Sequence, residues 1–286
     1  GNSTPTTLNL EAVLAENNSA NNQQIKDLQD PTEAQDAVTK NYTYSKAEVD
    51  ALLANLQSQI DDLDTSSGSI TDQDGNTYDY LTYGDQVWTV ENAEMATYRD
   101  GTPIPQVTDN TEWSNLTTGA WSYFNNDPTM PRLYNWYAVM GIHDTDPNTP
   151  NKEFAPEGWH VPTDAEWTTL EEYLIASGYN YDGTTTGNKI AKAMASTTGW
   201  ISSTGIGAIG NDQSLNNDSG FNAFPEGGRS SDGSFLNEGN SAVFWSSTED
   251  STSNAWSRYL INLNSNLSRD YSFYKHLGFS VRFVRD

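Results

Sequence analysis

The chain has 286 residues, 35% hydrophobic and 12% aromatic, enough for a sizeable core and too much for a chain disordered throughout. Fourteen basic against thirty-nine acidic residues give a formal net charge of −25, which repels phosphate backbones and anionic bilayers, so nucleic acid and membrane surfaces are poor partners. Cysteine is absent, which removes disulfides, thiolate metal sites and thiol catalysis, and no apolar run approaches the roughly 20 residues of a membrane span.

The polar opening GNSTPTT, starting at Gly1 without Met, suits a mature exported protein or a tether, and an extracellular location is expected from it. Up to about Ser69 the chain has no Trp and only the aromatic pair Tyr42 and Tyr44, whereas Tyr78 onward is rich in both, so a boundary falls between. Within the first part, Leu8 to Thr43 carries Leu10, Val13-Leu14, Ile25, Leu28, Asp30-Pro31-Thr32 and Asp36-Ala37-Val38-Thr39-Lys40 followed by an aromatic. This series resembles the repeat module along the shafts of phage tail fibres. The resemblance covers about thirty-five residues and implies an intertwined homotrimer for residues 1–43.

Residues 44–69 read as a short coiled coil and linker. Val49, Leu53, Leu56, Ile60 and Leu63 step by four, three, four and three, with Val49, Leu56 and Leu63 at d and Leu53 and Ile60 at a. Ser45 is the expected N-cap, and Thr65 to Ser69 the expected stop and linker. So short a stripe is marginal alone; packing on a partner helix, or on the main domain, would have to bury it.

From Ile70 to Asp286 the pattern is short strands and long loops. Asp74-Gly75 between Ile70 and Tyr78 signals a hairpin. Thr163-Asp164-Ala165-Glu166 is a capping box opening a helix that places Trp167, Leu170, Tyr173 and Leu174 on one side and stops at Gly178. A weaker helix runs through Lys189, Ile190, Ala193 and Met194, and the class expected is α+β. Near the end, Tyr259, Ile261 and Leu263 alternate, as do Phe279, Val281 and Phe283, so two half-buried strands are expected around a loop from Asn264 to His276.

The runs Asp72-Gln73-Asp74-Gly75-Asn76 and His143-Asp144-Thr145-Asp146 gather oxygens as calcium loops do, but the first is shorter than an EF-hand loop and lacks its closing Glu. Turn chemistry explains both, so no cofactor is expected, a structural Ca2+ in the loops staying open as the alternative. Only three His are present, at 143, 160 and 276, and there is no GxSxG elbow. His160 lies beside the capping box, where a structural hydrogen bond is the expected role. No catalytic constellation emerges, and the chain reads as non-enzymatic, with a chance glycosidase-like carboxylate pair as the competing reading.

GWHVPTDAEW (Gly158 to Trp167), SGFNAFPEGGR (Ser219 to Arg229), FWSST (Phe244 to Thr248), AWSRYL (Ala255 to Leu260) and GFSVRFVRD (Gly278 to Asp286), with DQDGNTY, GDQVWTVENAE and RLYNWYAV before them, occur in the order and spacing of the Fibrobacter succinogenes major paralogous domain. Over about two hundred residues the chain resembles that family, a branch of the C-type lectin fold close to formylglycine-generating enzymes and to proteins diversified by retroelements. The resemblance implies a C-type-lectin-like head over 70–286 with an exposed loop face near its C-terminus. The cysteine chemistry of the formylglycine-generating relatives cannot occur here. The EPN and WND signatures of calcium-dependent sugar-binding lectins are also absent.

Trp136, Trp159, Trp167, Trp245 and Trp256 are expected in the core. Arg258, Arg269, Lys275, Gly278, Phe279, Val281 and Arg282 match framework positions of the family. Ser257, Tyr259, Asp270, Tyr271, Phe273, Tyr274 and His276 remain as the expected ligand contacts, rigid aromatics beside adaptable polar groups, as in an antibody loop. In relatives tied to retroelements, adenine-directed mutation falls on Asn-type codons near the C-terminus, and the Asn, Ser, Asp, Tyr and His content here is compatible with such a product. The expected protein is an adhesin or tail-fibre tip on a bacterial surface or phage particle, a homotrimer binding a cell-surface protein or glycan. A structural fibre component without its own ligand is the competing class.

Overall fold

A computed structural model describes residues 44, 46–269 and 271–286. The chain divides into two units, Gly1–Asp62 and Leu63–Asp286. The shaft-like stretch Leu8–Thr43 and the expected cap Ser45 lie outside the described residues.

The first described element is helix α1, Lys46–Ser66. Val49, Leu53 and Leu56, which carry the heptad spacing, are exposed on it in the single chain, as is Leu52. The helix ends at Ser66, within the expected stop, and strand β1, Ser67–Thr71, follows directly, so Ser67 to Ser69 pair as strand. Gly68 allows this pairing: a Cβ there would stand 2.4 Å from the Tyr80 hydroxyl oxygen across the ladder.

The rest of the second unit is mixed helix and sheet, mostly short strands. In chain order come β2 (Thr77–Tyr83), β3 (Gln86–Thr89), α2 (Asn110–Ser114), β4 (Trp121–Tyr123), β5 (Arg132–Tyr134), α3 (Trp136–Val139), β6 (Trp159–His160) and α4 (Asp164–Ala176). They are followed by α5 (Ala191–Met194), β7 (Gly228–Arg229), β8 (Phe235–Leu236), β9 (Ser241–Glu249), β10 (Asn254–Ile261), β11 (Ser272–Tyr274) and β12 (Val284–Arg285). One sheet has the order β1-β2-β3-β12-β6, so the C-terminal strand is inserted between β3 and β6. A second has the order β11-β10-β9.

The hairpin at Asp74-Gly75 forms, with Thr71 opposite Thr77 and Gly75 at φ +88°. The Asp72 carboxylate builds this turn by accepting from the Asp74 and Asn76 amides, each at 2.9 Å, and from the Tyr78 hydroxyl at 2.6 Å. Helix α4 opens on the predicted capping box, with both reciprocal bonds present, and buries Trp167, Leu170 and Leu174. The helix expected from Lys189 is only one turn long, Ala191–Met194.

Strand β9 and the adjoining part of β10 lie between two apolar clusters, and this explains why the tail misleads as a sequence. Val243 and Trp245, opposite Tyr259 and Ser257, face a cluster with Trp136, Trp159 and Phe279. Ala242 and Phe244, opposite Leu260 and Arg258, face one with Trp88, Trp167 and Phe221. A strand covered on both sides keeps no polar alternation. Accordingly Tyr259 packs half-buried against the first cluster while its neighbour Leu260 is fully buried in the second, and Leu263 lies beyond the strand end, 64% exposed. Phe279, Val281 and Phe283 are buried as expected, but so are Ser280 and Arg282 between them.

Candidate functional site

Edge strand β11 takes its placement from alternate residues. Phe273 turns toward the first cluster, edge-on to Phe279 at 5.4 Å and to Tyr259 at 6.1 Å. Two residues on, Lys275 is buried: its Nζ pairs with the Glu249 carboxylate, donates to the Thr252 carbonyl at 2.9 Å and lies 4.6 Å from the Trp136 ring centre. With Phe273 fixed inward, Ser272 and Tyr274 are left on the opposite side of β11, and the turn that follows brings His276 against Tyr274.

Pairing register completes that outer face. Trp256 stands opposite Ser272 and Asn254 opposite Tyr274, so these side chains share a side. The Tyr274 and His276 rings stack at 5.7 Å and 15°, and Ser272 Oγ donates to Asp250 at 2.8 Å. Arg269 closes one end. It lies 3.7 Å from the Trp256 ring centre and forks onto Asp164, with Nε to Oδ2 at 3.0 Å and Nη2 to Oδ2 at 2.8 Å. Burial works against the Asp164 charge, yet the Arg269 and Arg258 guanidiniums hold its carboxyl below the usual range. Tyr271 and Tyr274 remain 68% and 54% exposed, while the framework around them is locked.

Of the expected contacts, Tyr271 and Tyr274 are exposed and His276 stacks on Tyr274, while Tyr259 and Phe273 are half-buried against the first cluster. Ser257 is a correction. It is fully buried, its hydroxyl without a hydrogen-bond partner, because it sits opposite Trp245 on the covered side of β10. Asp270 lies outside the described residues. Trp256 is the converse correction: eight of the nine tryptophans are buried, but Trp256 is only half-buried, on the outer face. Sequence reasoning also missed Asn254, since only the register of β10 against β11 reveals both. Burial pushes the His276 imidazole below its ordinary pKa, so the ring at this face is neutral near pH 7.

The framework residues behave as the motifs imply. Arg258 is buried and pairs with Asp164, and Arg282 is buried with Nη1 donating to the Thr89 carbonyl at 2.9 Å. His160 has both ring nitrogens engaged, by Glu166 and Asp286 at 2.7 Å each, which leaves neither free to accept a substrate proton. The Glu166 hydrogen bond, with that of Asp286, raises its pKa from 6.5 to about 8. A raised folded pKa means the pairing contributes fully below pH ~6.5 and is lost as pH rises through about 8. After discounting for partial exposure, unfolding at pH 9 should be easier than at pH 6 by about 1 kcal/mol from this site. Chemical denaturation at the two pH values checks this, and His160→Gln should shrink the difference; an undiminished one would remove His160 as its source.

Among the described residues, no group of three or more His, Asp or Glu is gathered to hold a metal ion, and no helix is long and apolar enough to cross a membrane. The family model described as the Fibrobacter succinogenes major domain matches residues 81–285. No curated protein and no solved structure matches the chain.

Proposed function

The chain belongs to the Fibrobacter succinogenes major domain family, and we propose that it is a non-enzymatic, extracellular ligand-binding protein whose C-type-lectin-like head grips a cell-surface protein or glycan. The observation that carries this reading is the pair Tyr271 and Tyr274, exposed on an edge whose neighbours Phe273 and Lys275 are packed and ion-paired. Water-exposed tyrosine rings gain nothing for the fold, whereas rigid aromatics held on a fixed strand bind with little entropy loss. Trp256, Asn254, Ser272 and neutral His276 add area and orienting hydrogen bonds beside them. The resemblance of residues 1–43 to a fibre shaft supports a homotrimer carried on a bacterial surface or phage particle. The composition of residues 264–276 suits diversification by a retroelement, because its contact residues can change while Phe273, Lys275 and Gly278 hold the backbone.

The test is a glycan and cell-surface binding screen with wild type beside a Tyr271→Ala/Tyr274→Ala/His276→Ala variant. Truncating exposed aromatic anchors at about 1–2 kcal/mol each should cost at least roughly 10²-fold in affinity, with the melting temperature almost unchanged. Equal binding by the two proteins would sink the site. Turnover of a glycan by wild type would instead favour a hydrolase.

A further inference from the structure

We propose a second binding site on the head: a cleft of about 410 Å³ beside Phe224 and Glu226 that accepts an alkyl-ammonium group on an apolar stem, the lysine side chain of a protein partner. The walls supply both halves of that chemistry. Met130, Pro131, Phe224 and Pro225 form the apolar part, with Phe224 left 41% exposed, and Glu226 and Glu238 supply negative charge. A four-carbon lysine stem packs on such a wall, and its ammonium is attracted by carboxylates and by the face of a phenyl ring.

The Glu226 carboxylate is fixed in place, its Oε2 accepting from Asn92 Nδ2 at 2.6 Å and from Ser280 Oγ at 2.8 Å. Arg282, the cation nearest in electrostatic terms, does not close the site, because its donors go to Asn92 Oδ1 at 2.5 Å, Thr89 O at 2.9 Å and Asn222 O at 3.4 Å. Burial pushes the Glu226 carboxyl up, and burial likewise raises Glu94, which feels Glu226, to about 7. An arriving cation offsets the cost of keeping these acids charged. A hard divalent ion fits less well, since it demands about six or more oxygen ligands where four apolar side chains stand. The net charge of the chain, −25, favours cationic partners.

The cleft abuts Gly239, just before β9 begins, whereas the tyrosine edge pairs near Asn254, after β9 ends. Eight residue steps of about 3.3 Å put the two ends of β9 roughly 26 Å apart. A large partner can therefore occupy both sites at once.

Titration of the full chain, followed through the Met130 methyl resonance, tests the cleft. The probes are a blocked Gly-Gly-Lys-Gly-Gly peptide, its norleucine counterpart, 1,5-diaminopentane and calcium chloride. The lysine peptide should shift Met130 saturably, with norleucine at least 10-fold weaker. Glu226→Gln and Phe224→Ala should each weaken the lysine peptide at least 10-fold while the methyl spectrum keeps its folded dispersion. Equal shifts by the norleucine peptide, binding by the free diamine alone, a saturable shift by calcium alone, or undiminished binding by both variants would each overturn the proposal.

Discussion

Arg229→Ala is expected to lower stability by about 3–5 kcal/mol and the melting temperature by roughly 10 °C, more than any surface change discussed above. Arg229 is completely buried and its charge is felt by the Asp109 carboxylate, while its donors go to carbonyls. Its guanidinium donates to the carbonyls of Gly233 at 2.9 Å, Val107 at 2.5 Å and Thr108 at 3.1 Å, and to Asn110 Oδ1 at 3.2 Å. It also lies 4.2 Å from the Trp113 ring centre and 4.8 Å from that of Phe235. Burial lowers its pKa to about 10, which still leaves it charged at neutral pH. One side chain thus serves the acceptors of the 107–110 segment and of the β7–β8 turn together. Alanine leaves those carbonyls dry and unpaired and opens a cavity beside Trp113, two costs that add. Arg229→Lys should recover less than half the loss, because a single ammonium cannot span both carbonyl groups. Arg285→Ala, at an exposed position, should stay within about 0.5 kcal/mol of wild type. Urea midpoints for the three variants decide it, and a loss under about 1 kcal/mol for Arg229→Ala would show that the segment holds without its bridge.

The legible parts of this molecule are those written in local chemistry. The α4 capping box, the Asp74-Gly75 hairpin and most of the tryptophan core depend on neighbours in sequence or on hydrophobicity alone, and all three appear in the structure. The family motifs carried further, since they spread over the matched span 81–285. What stayed hidden depends on pairing. Ser257 and Trp256 are adjacent and opposite in fate, one sealed against Trp245 and the other open beside Ser272, and only the register of three strands distinguishes them. Phe273 had the same limitation: an aromatic between two tyrosines reads as a contact residue until Phe279 is found beneath it. The family motifs marked Arg258 and Arg282 as framework where polarity rules alone would have placed them outside. Arg229, Arg258 and Arg282 cross a loop-rich core where carbonyls outnumber ladder partners, so they take the place that regular strands fill elsewhere.

The second large effect is expected at the stalk. Helix α1 presents Val49, Leu52, Leu53 and Leu56 with 41%, 54%, 59% and 55% of their surface open, a continuous apolar stripe on an otherwise polar helix. An exposed apolar stripe of this kind calls for a partner surface. Two further copies can supply it, through a and d positions meeting at a shared axis. A Leu53→Asp/Leu56→Asp variant places charge on that axis, so light scattering on the full chain should change from trimer to monomer at micromolar concentration. The head should be indifferent, with its melting transition in place, because those two leucines belong to the first unit and the core lies in the second. Binding should not be indifferent. In the proposed trimer, three tyrosine edges on one stalk would make the second and third contacts intramolecular, and their loss should lower apparent affinity for a multivalent surface by on the order of 10²–10⁴. Affinity for a soluble monovalent ligand should stay the same, which separates avidity from damage to the site. A wild-type chain that scatters as a monomer would end the trimer reading, and a double variant that keeps full avidity would show that multivalency does not come from α1.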